Sequence, residues 1–189
     1  IILIMIPFAF GLAENLLENG DFSELDGEGY PDYWYTDAYI LEPGYTVFSV
    51  GKDTKTNSGT IEIKNIGSND ARYAQIVEVE PDTLYRLSGD IMAEDVEGGH
   101  GANLSIEGVY AFSDKLYDTD GEWIHIDYYG ETGPEQDLIT VFARLGGYSG
   151  ESTGKASFKN LSLEKVDSIP GDLVADLWFR EDSWFGRNQ

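Results

Sequence analysis

Short strand-like runs recur through the middle of the sequence, and this alternation of runs and turns limits what the chain can fold into. Dipeptides such as Asp26-Gly27, Pro43-Gly44 and Asp120-Gly121 mark turns between the runs. No long stretch has the 3.6-residue period of an amphipathic helix. The pattern predicts an all-β sandwich or barrel. The predicted strands are Asn15–Glu18, Tyr45–Val50, Gly59–Asn65, Ala71–Val79, Leu84–Glu94, Ala102–Phe112, Trp123–Tyr129, Leu138–Leu145 and Lys155–Lys165.

Alternate residues of a strand point to opposite faces of its sheet, so the sequence also predicts which side chains look outwards. In Leu138–Leu145 the apolar series places Ile139, Val141 and Ala143 inwards. Phe142 and Arg144 then look outwards. In the other strands the outward set mixes aromatic rings with polar and charged groups.

The charge balance excludes several partners. The chain has 12 Lys and Arg against 35 Asp and Glu, a formal net charge of −23. Nucleic acids bind through cations that neutralise phosphates, so DNA and RNA are excluded on electrostatic grounds. Acidic membrane surfaces and polyanionic sugars are excluded for the same reason.

Few residues of this sequence offer catalytic chemistry. It has no cysteine and two histidines, and neither His100 nor His125 lies in a recognisable nucleophile motif. Glu107, Asp90 and Asp127 are the plausible partners of a carboxylate pair, which glycosidase chemistry needs about 5–10 Å apart. No spacing in the sequence demands such a pair. We therefore do not expect an enzyme, although the chain could be an accessory module of a larger glycan-active one.

The two ends differ from the middle. Residues 1–13 form an uncharged apolar run that is typical of a secretory signal, which predicts a secreted or cell-surface protein. A hydrophobic first strand or buried helix is the alternative. Residues 168–189 are interpreted as a linker and an aromatic tail containing Trp178, Phe179, Trp184 and Phe185. This tail either packs back on the domain or begins a further domain, and the second interpretation is favoured.

Four local patterns in residues 14–167 resemble the jelly-roll carbohydrate-binding modules of glycoside hydrolases, especially the xylan- and glucan-binding families 4, 9 and 22. The resemblance implies a two-sheet antiparallel β-sandwich of galactose-binding-domain-like type. The patterns are Asn15-Leu16-Leu17-Glu18-Asn19-Gly20-Asp21-Phe22 with Pro31 and Trp34, Tyr73-Ala74-Gln75-Ile76 with Pro81 and Tyr85-Arg86-Leu87-Ser88, Gly121-Glu122-Trp123, and Gly154 to Leu163.

The resemblance also bears on metal binding. Modules of this type often hold a structural calcium through a Glu after the first pattern and an Asp in the closing strand. Ser23 and Lys159 stand at these positions here. Calcium requires several oxygen ligands, and an ammonium group is not one of them. We therefore predict no metal and no cofactor, unless Glu24 restores the site through a one-residue shift.

A neutral sugar presents hydroxyls to polar groups and an apolar face to aromatic rings. Tyr148 and the ring-rich stretch of residues 30–39 could wall a groove. Trp34 is equally expected to be structural, and the charged candidates could instead form cross-strand ion pairs. The candidate ligand-binding residues are Trp34, Tyr35, Arg86, Asp90, Glu107, His125, Tyr129, Phe142 and Arg144.

From these features we expect a non-catalytic, secreted module that binds a neutral polysaccharide or cell-surface glycan. Sugars would stack on aromatic rings and donate hydrogen bonds from their hydroxyls. The module is expected to be monomeric and part of a larger chain. The alternative is a structural or adhesive extracellular domain that uses the same sandwich without binding sugar.

Overall fold

The structure is a computed structural model, and it describes residues 14–179. This part of the chain contains no helix long and apolar enough to cross a membrane. Its strands are β1 (Tyr35–Ala38), β2 (Thr46–Lys52), β3 (Gly59–Asn69), β4 (Ala71–Glu78), β5 (Leu84–Glu97), β6 (Ala102–Ile106), β7 (Ile124–Glu131), β8 (Leu138–Leu145), β9 (Ser152–Lys165) and β10 (Asp176–Leu177).

The strands form two sheets. A four-stranded sheet has the order β1-β4-β8-β6, and a six-stranded sheet has the order β10-β7-β5-β9-β3-β2. All pairings are antiparallel except that of β10 with β7. Apolar residues from both sheets, such as Ile91 of β5 and Val141 of β8, are buried between them. The predicted two-sheet all-β sandwich is confirmed.

Three regions differ from the predicted strands. Asn15–Glu18 is not a strand but is bound to the edge of β9, where the Asn15 amide contacts Leu161 O at 3.0 Å and Leu163 N at 2.9 Å. The predicted loop of residues 30–39 contains β1. Strand β6 ends at Ile106, and the chain turns back after Gly108, whose φ of +77° favours glycine.

The C-terminal segment packs on the sandwich. Trp178, which follows β10, is 1% exposed, and its ring centroid lies 5.3 Å from that of Tyr128. A Cβ at Gly130 would lie 1.9 Å from the indole, so only glycine leaves room for the ring there. The sandwich thus extends beyond residue 167 to Phe179. The proposed signal segment, Trp184 and Phe185 lie outside the described residues.

Candidate functional site

Eight of the nine candidate residues lie on the two outer faces of the sandwich, four on each sheet. Arg86, Asp90, His125 and Tyr129 lie on β5 and β7 of the six-stranded sheet. Tyr35, Glu107, Phe142 and Arg144 belong to the outer face of the four-stranded sheet, where Glu107 continues β6 through a hydrogen bond from its N–H to Thr140 O. Trp34 belongs to the core. The nine residues therefore do not form one site.

Ion pairs occupy the outer face of the six-stranded sheet. The Arg86 guanidinium lies 2.8 Å from Glu164 and 3.7 Å from Asp127. The His125 ring contacts Asp90 at 2.8 Å. Tyr129 is 6% exposed and lies opposite Arg86 in the ladder. Because these charged groups pair with each other across the strands, this face resembles an ordinary solvated sheet surface.

Trp34 is a packing residue. Its ring lies 5.4 Å from that of Phe22, and its Nε1 donates a hydrogen bond to Glu18 O at 3.2 Å. Only 7% of the residue is exposed. Of the two interpretations considered for this tryptophan, the structure supports the structural one.

The chain's own loops cover one half of the four-stranded face. Arg144 is fully buried, and its guanidinium carbon lies 4.3 Å from the centre of the Tyr148 ring and 5.7 Å from that of Phe112. Phe142 beside it is 4% exposed. The two residues do point away from the core, as the alternation predicts, but the expectation that they are exposed to a ligand is wrong.

The cover over Arg144 is built from aromatic rings. His100 stacks on Phe112 with ring centroids 4.4 Å apart. Tyr110 stacks on Tyr148 at 6.3 Å, and its hydroxyl donates to Tyr148 O at 3.1 Å. The Tyr148 hydroxyl in turn accepts a hydrogen bond from Gly108 N at 3.0 Å. Tyr110 is 61% exposed, so this cluster presents a ring to solvent.

The uncovered half of the face centres on Tyr35. This residue is 45% exposed, whereas Ala74, its partner in the neighbouring strand, is fully buried on the same outer face. Partial burial raises the pKa of Tyr35, and the negative charges of Glu107 and Asp37 raise it further. On the same outer face, the Glu107 carboxylate accepts a hydrogen bond from the Thr140 hydroxyl at 2.8 Å.

Arg72 completes the polar part of the uncovered half. Its guanidinium forms ion pairs with Asp37 and Asp70, and it lies 5.2 Å from the centre of the Phe142 ring. Ile76, two strand positions from Ala74 on β4, is 61% exposed and adds an apolar surface. We call the surface formed by Tyr35, Arg72, Ile76, Glu107 and Tyr110 the open face.

A cleft of about 970 Å³ adjoins the open face. Glu107 belongs to both. The other lining residues are Gly108, Val109, Gly133, Pro134, Glu135, Gln136, Tyr148, Trp178 and Phe179.

The position at which the resemblance implies a calcium ligand holds an ion pair. Lys159 Nζ lies 2.6 Å from Asp53 Oδ2 and 4.4 Å from the centre of the Trp123 ring, and both charged side chains are 6% exposed. An ammonium group in this place does not fit a cation site. Within residues 14–179, no group of three or more His, Asp or Glu side chains is arranged to hold a metal ion.

Sequence reasoning missed several residues of the open face and the cleft. Arg72 lies in a predicted strand, but the sequence analysis did not assign the residues of this strand to faces by apolar alternation. The outward position of Arg72 was therefore not predicted. Tyr110 was assigned to a strand that ends four residues earlier. Phe179 lies in the segment interpreted as a tail, and its aromatic composition was the available signal that it packs on the domain.

Comparisons with known proteins agree on the fold. No family model and no curated protein matches the chain. Among solved structures, a family 4 carbohydrate-binding module matches with a TM-score of 0.51 and 15% identity, over 79% of this chain and 99% of that one. A family 61 module in complex with β-1,4-galactotriose matches with a TM-score of 0.51 and 14% identity, over 82% and 100%. The fold is a jelly roll of the carbohydrate-binding-module type.

A further matching structure belongs to a protein with a much longer chain than this one. The enzymatically active domain of tailspike protein 4 of bacteriophage CBA120 matches with a TM-score of 0.59 and 11% identity. The alignment covers 80% of this chain but 21% of the tailspike chain. At sequence identities of 11–15%, structural similarity establishes the fold alone. A function must therefore be argued from the geometry and chemistry of the site.

Proposed function

We propose that this chain is a non-catalytic module that binds a neutral glycan on the open face. The observation that carries the proposal is the partly exposed Tyr35 ring on the same outer face of the four-stranded sheet as the Arg72 guanidinium and the Glu107 carboxylate. A ring of this kind takes the apolar face of a sugar, while the carboxylate accepts and the guanidinium donates hydrogen bonds to its hydroxyls. The rigid strands β1 and β4 hold Tyr35 and Arg72 in place, and Glu107 is held at the end of β6.

The charge of the protein supports a neutral ligand. Arg72 is already paired with two carboxylates, and Glu107 contacts a neutral hydroxyl. A uronic acid or sulfated sugar would meet these carboxylates and the strongly negative protein as like charges. The resemblance to carbohydrate-binding modules, one of them solved with a neutral galactan fragment, supports the same class of ligand.

The arrangement of carboxylates excludes two of the catalytic pairs that the sequence suggested. Glu107 lies on the four-stranded sheet, whereas Asp90 and Asp127 lie on the opposite face of the sandwich. Glu107 therefore cannot form a catalytic pair with either of them. The module would act outside the cell, as a monomeric part of a larger chain that it holds on a polysaccharide or cell-surface glycan.

A pull-down on insoluble polysaccharides tests this function. The protein is mixed with cellulose, xylan, mannan and β-1,4-galactan, and retention is measured for the wild type, Tyr35→Ala and His125→Ala. We expect retention on at least one polysaccharide, at least a tenfold weaker affinity for Tyr35→Ala, and no change for His125→Ala, which lies on the opposite face. Equal retention of the two variants would place binding elsewhere.

A second function is favoured by one observation. Phe142 and Arg144 are buried, and the Tyr148 ring covers Arg144, so part of the four-stranded face is filled by the chain itself. A covered face is compatible with a structural or adhesive extracellular domain, because such a domain does not bind a ligand on this face. Failure of the wild type to bind any of the four polysaccharides would support this alternative and overturn the proposed function.

A further inference from the structure

We infer that the cleft beside the open face is a second sugar subsite, with one wall supplied by Trp178 and Phe179. The inference rests on the proposed function, because the ligand is the same neutral glycan. The chain of sugars would run from Tyr35 past Glu107 into the cleft. The size of the cleft, about 970 Å³, lies at the upper end of the range for ligand pockets and exceeds the need of a single sugar.

Continuity between the two surfaces comes from Glu107. Its carboxylate accepts a hydrogen bond from Thr140 on the open face and also lines the cleft. The Thr140 hydroxyl donates to Oε2 of this carboxylate and does not contact Oε1 in that bond. A sugar bound at the junction would donate a hydroxyl to Glu107 and extend in both directions.

Hydrogen bonds fix the walls of the cleft before any ligand arrives. Gln136 Nε2 donates to Trp178 O at 3.0 Å, and its Oε1 accepts from Gly133 N at 2.9 Å. These bonds join the β7–β8 loop to the C-terminal segment. On the other side, the Tyr148 hydroxyl is held by Gly108 N. A site with fixed walls loses less entropy on binding than a mobile one.

The chemistry of the lining selects a neutral sugar. Glu107, Glu135 and Gln136 provide oxygen acceptors, and no Lys or Arg is among the described lining residues. Tyr148 and Phe179 provide ring surface. Phe179 is half-buried and lies against Gly133, where an added Cβ would come within 2.8 Å of the ring. This contact packs the Phe179 ring against the β7–β8 loop at the wall of the cleft.

The test compares short with long oligosaccharides. Dissociation constants are measured by calorimetry for cello-, xylo-, manno- and galacto-oligosaccharides of two and six units, with the wild type, Phe179→Leu, Phe179→Ala and Glu135→Gln. Phe179→Leu keeps an apolar side chain against Gly133 but removes the ring. We expect the cleft variants to weaken binding of six-unit ligands roughly two- to tenfold and to leave two-unit ligands on the open face unchanged. His125→Ala is the control.

The outcomes separate this inference from the proposed function. If the wild type binds six-unit ligands and the cleft variants bind both lengths as the wild type does, the second subsite is overturned while the open face stands. If the wild type binds no oligosaccharide, the proposed function fails first. Melting curves show whether each variant is folded, and Phe179→Leu replaces Phe179→Ala if the latter is not.

Discussion

Arg144 and Asp70 form a two-point ion pair: Nε lies 2.6 Å from Oδ1 and Nη2 lies 2.5 Å from Oδ2. The two side chains are 0% and 6% exposed. The pair joins β8 to the turn between β3 and β4, beneath the ring of Tyr148. An arginine that the sequence offered as a ligand contact is thus held in place by the fold.

Removing one charge of this pair should strongly destabilise the protein. Asp70→Asn leaves the guanidinium of Arg144 buried without a counter-charge, and we expect a loss of about 3–5 kcal/mol in the free energy of unfolding. Urea denaturation measures the loss. Asp127→Asn, in the half-exposed pair with Arg86, is the control and should cost less than about 1 kcal/mol. Similar losses for the two variants would contradict the prediction.

His100 should make stability depend on pH. Burial lowers the pKa of His100 below its ordinary value of 6.5, and the positive charge of Lys115 acts in the same direction. The folded state therefore binds this proton less readily than the unfolded state. The resulting stability is complete above pH 6.5 and is lost as the pH falls through the lowered pKa.

The variant His100→Phe isolates this effect because it keeps a ring stacked on Phe112. Unfolding free energies of the variant and the wild type should differ by a constant amount above about pH 7. Below pH 6.5 the wild type should lose stability more steeply than His100→Phe. Parallel curves across this range would show that protonation of His100 is not coupled to folding.

Lys159 should determine how strongly protonation of Asp53 at acid pH lowers the stability of the protein. A hydrogen bond from Lys159 is the main cause that lowers the pKa of Asp53 below its ordinary value of 3.8, followed by bonds from the backbone of Lys55 and the hydroxyl of Thr56. This contribution is present above pH 3.8 and is lost as the pH falls through the lowered pKa. Lys159→Met should lower the Tm at neutral pH and reduce the acid dependence of stability. NMR titration of Asp53 in the two proteins measures the shift directly.

Calcium should not stabilise the wild type. The ammonium of Lys159 stands where the resemblance implies a ligand, so we expect the same Tm in millimolar calcium and in a chelator. Differential scanning fluorimetry is sufficient for this comparison. A large rise in Tm with calcium would show that other residues, Glu24 first, build a site.

Gly130 and Trp178 should behave as one unit. Trp178→Ala removes a buried ring, at a cost of about 3–5 kcal/mol. Gly130→Ala should be destabilising in the wild type because its Cβ would overlap the indole. In the Trp178→Ala background the same change should be nearly neutral, and a double-mutant cycle by urea denaturation measures the coupling. Additive effects would contradict the packing described here.

The strands were predictable because period-two patterning is a local property. Leu138–Leu145 was predicted with its observed bounds, and its inward residues are those that the alternation selects. β1 was missed because Tyr35 and Tyr39 lie in a stretch interpreted as a loop. β10 was missed because two residues of strand leave no pattern.

The site was less predictable because alternation gives a side of a strand but not its surroundings. It placed His125 and Phe142 in one outward set, although they belong to opposite sheets. It also could not show that Tyr148 folds over Arg144, since the contact depends on where a loop returns in space. The net charge, by contrast, follows from the sequence without a structure, so a neutral ligand could be predicted from the sequence alone.

Six lysine and arginine side chains of residues 14–179 are engaged in ion pairs: Arg72, Arg86, Arg144, Lys155, Lys159 and Lys165. Much of the positive charge is thus neutralised at short range, and the excess of carboxylates determines the potential far from the surface. Two copies that approach each other in dilute buffer repel. Added electrolyte shortens that repulsion to a Debye length of roughly 10 Å at 0.1 M. The protein should therefore bind to an uncharged polysaccharide matrix at a higher density in 0.1 M salt than in a buffer of low ionic strength.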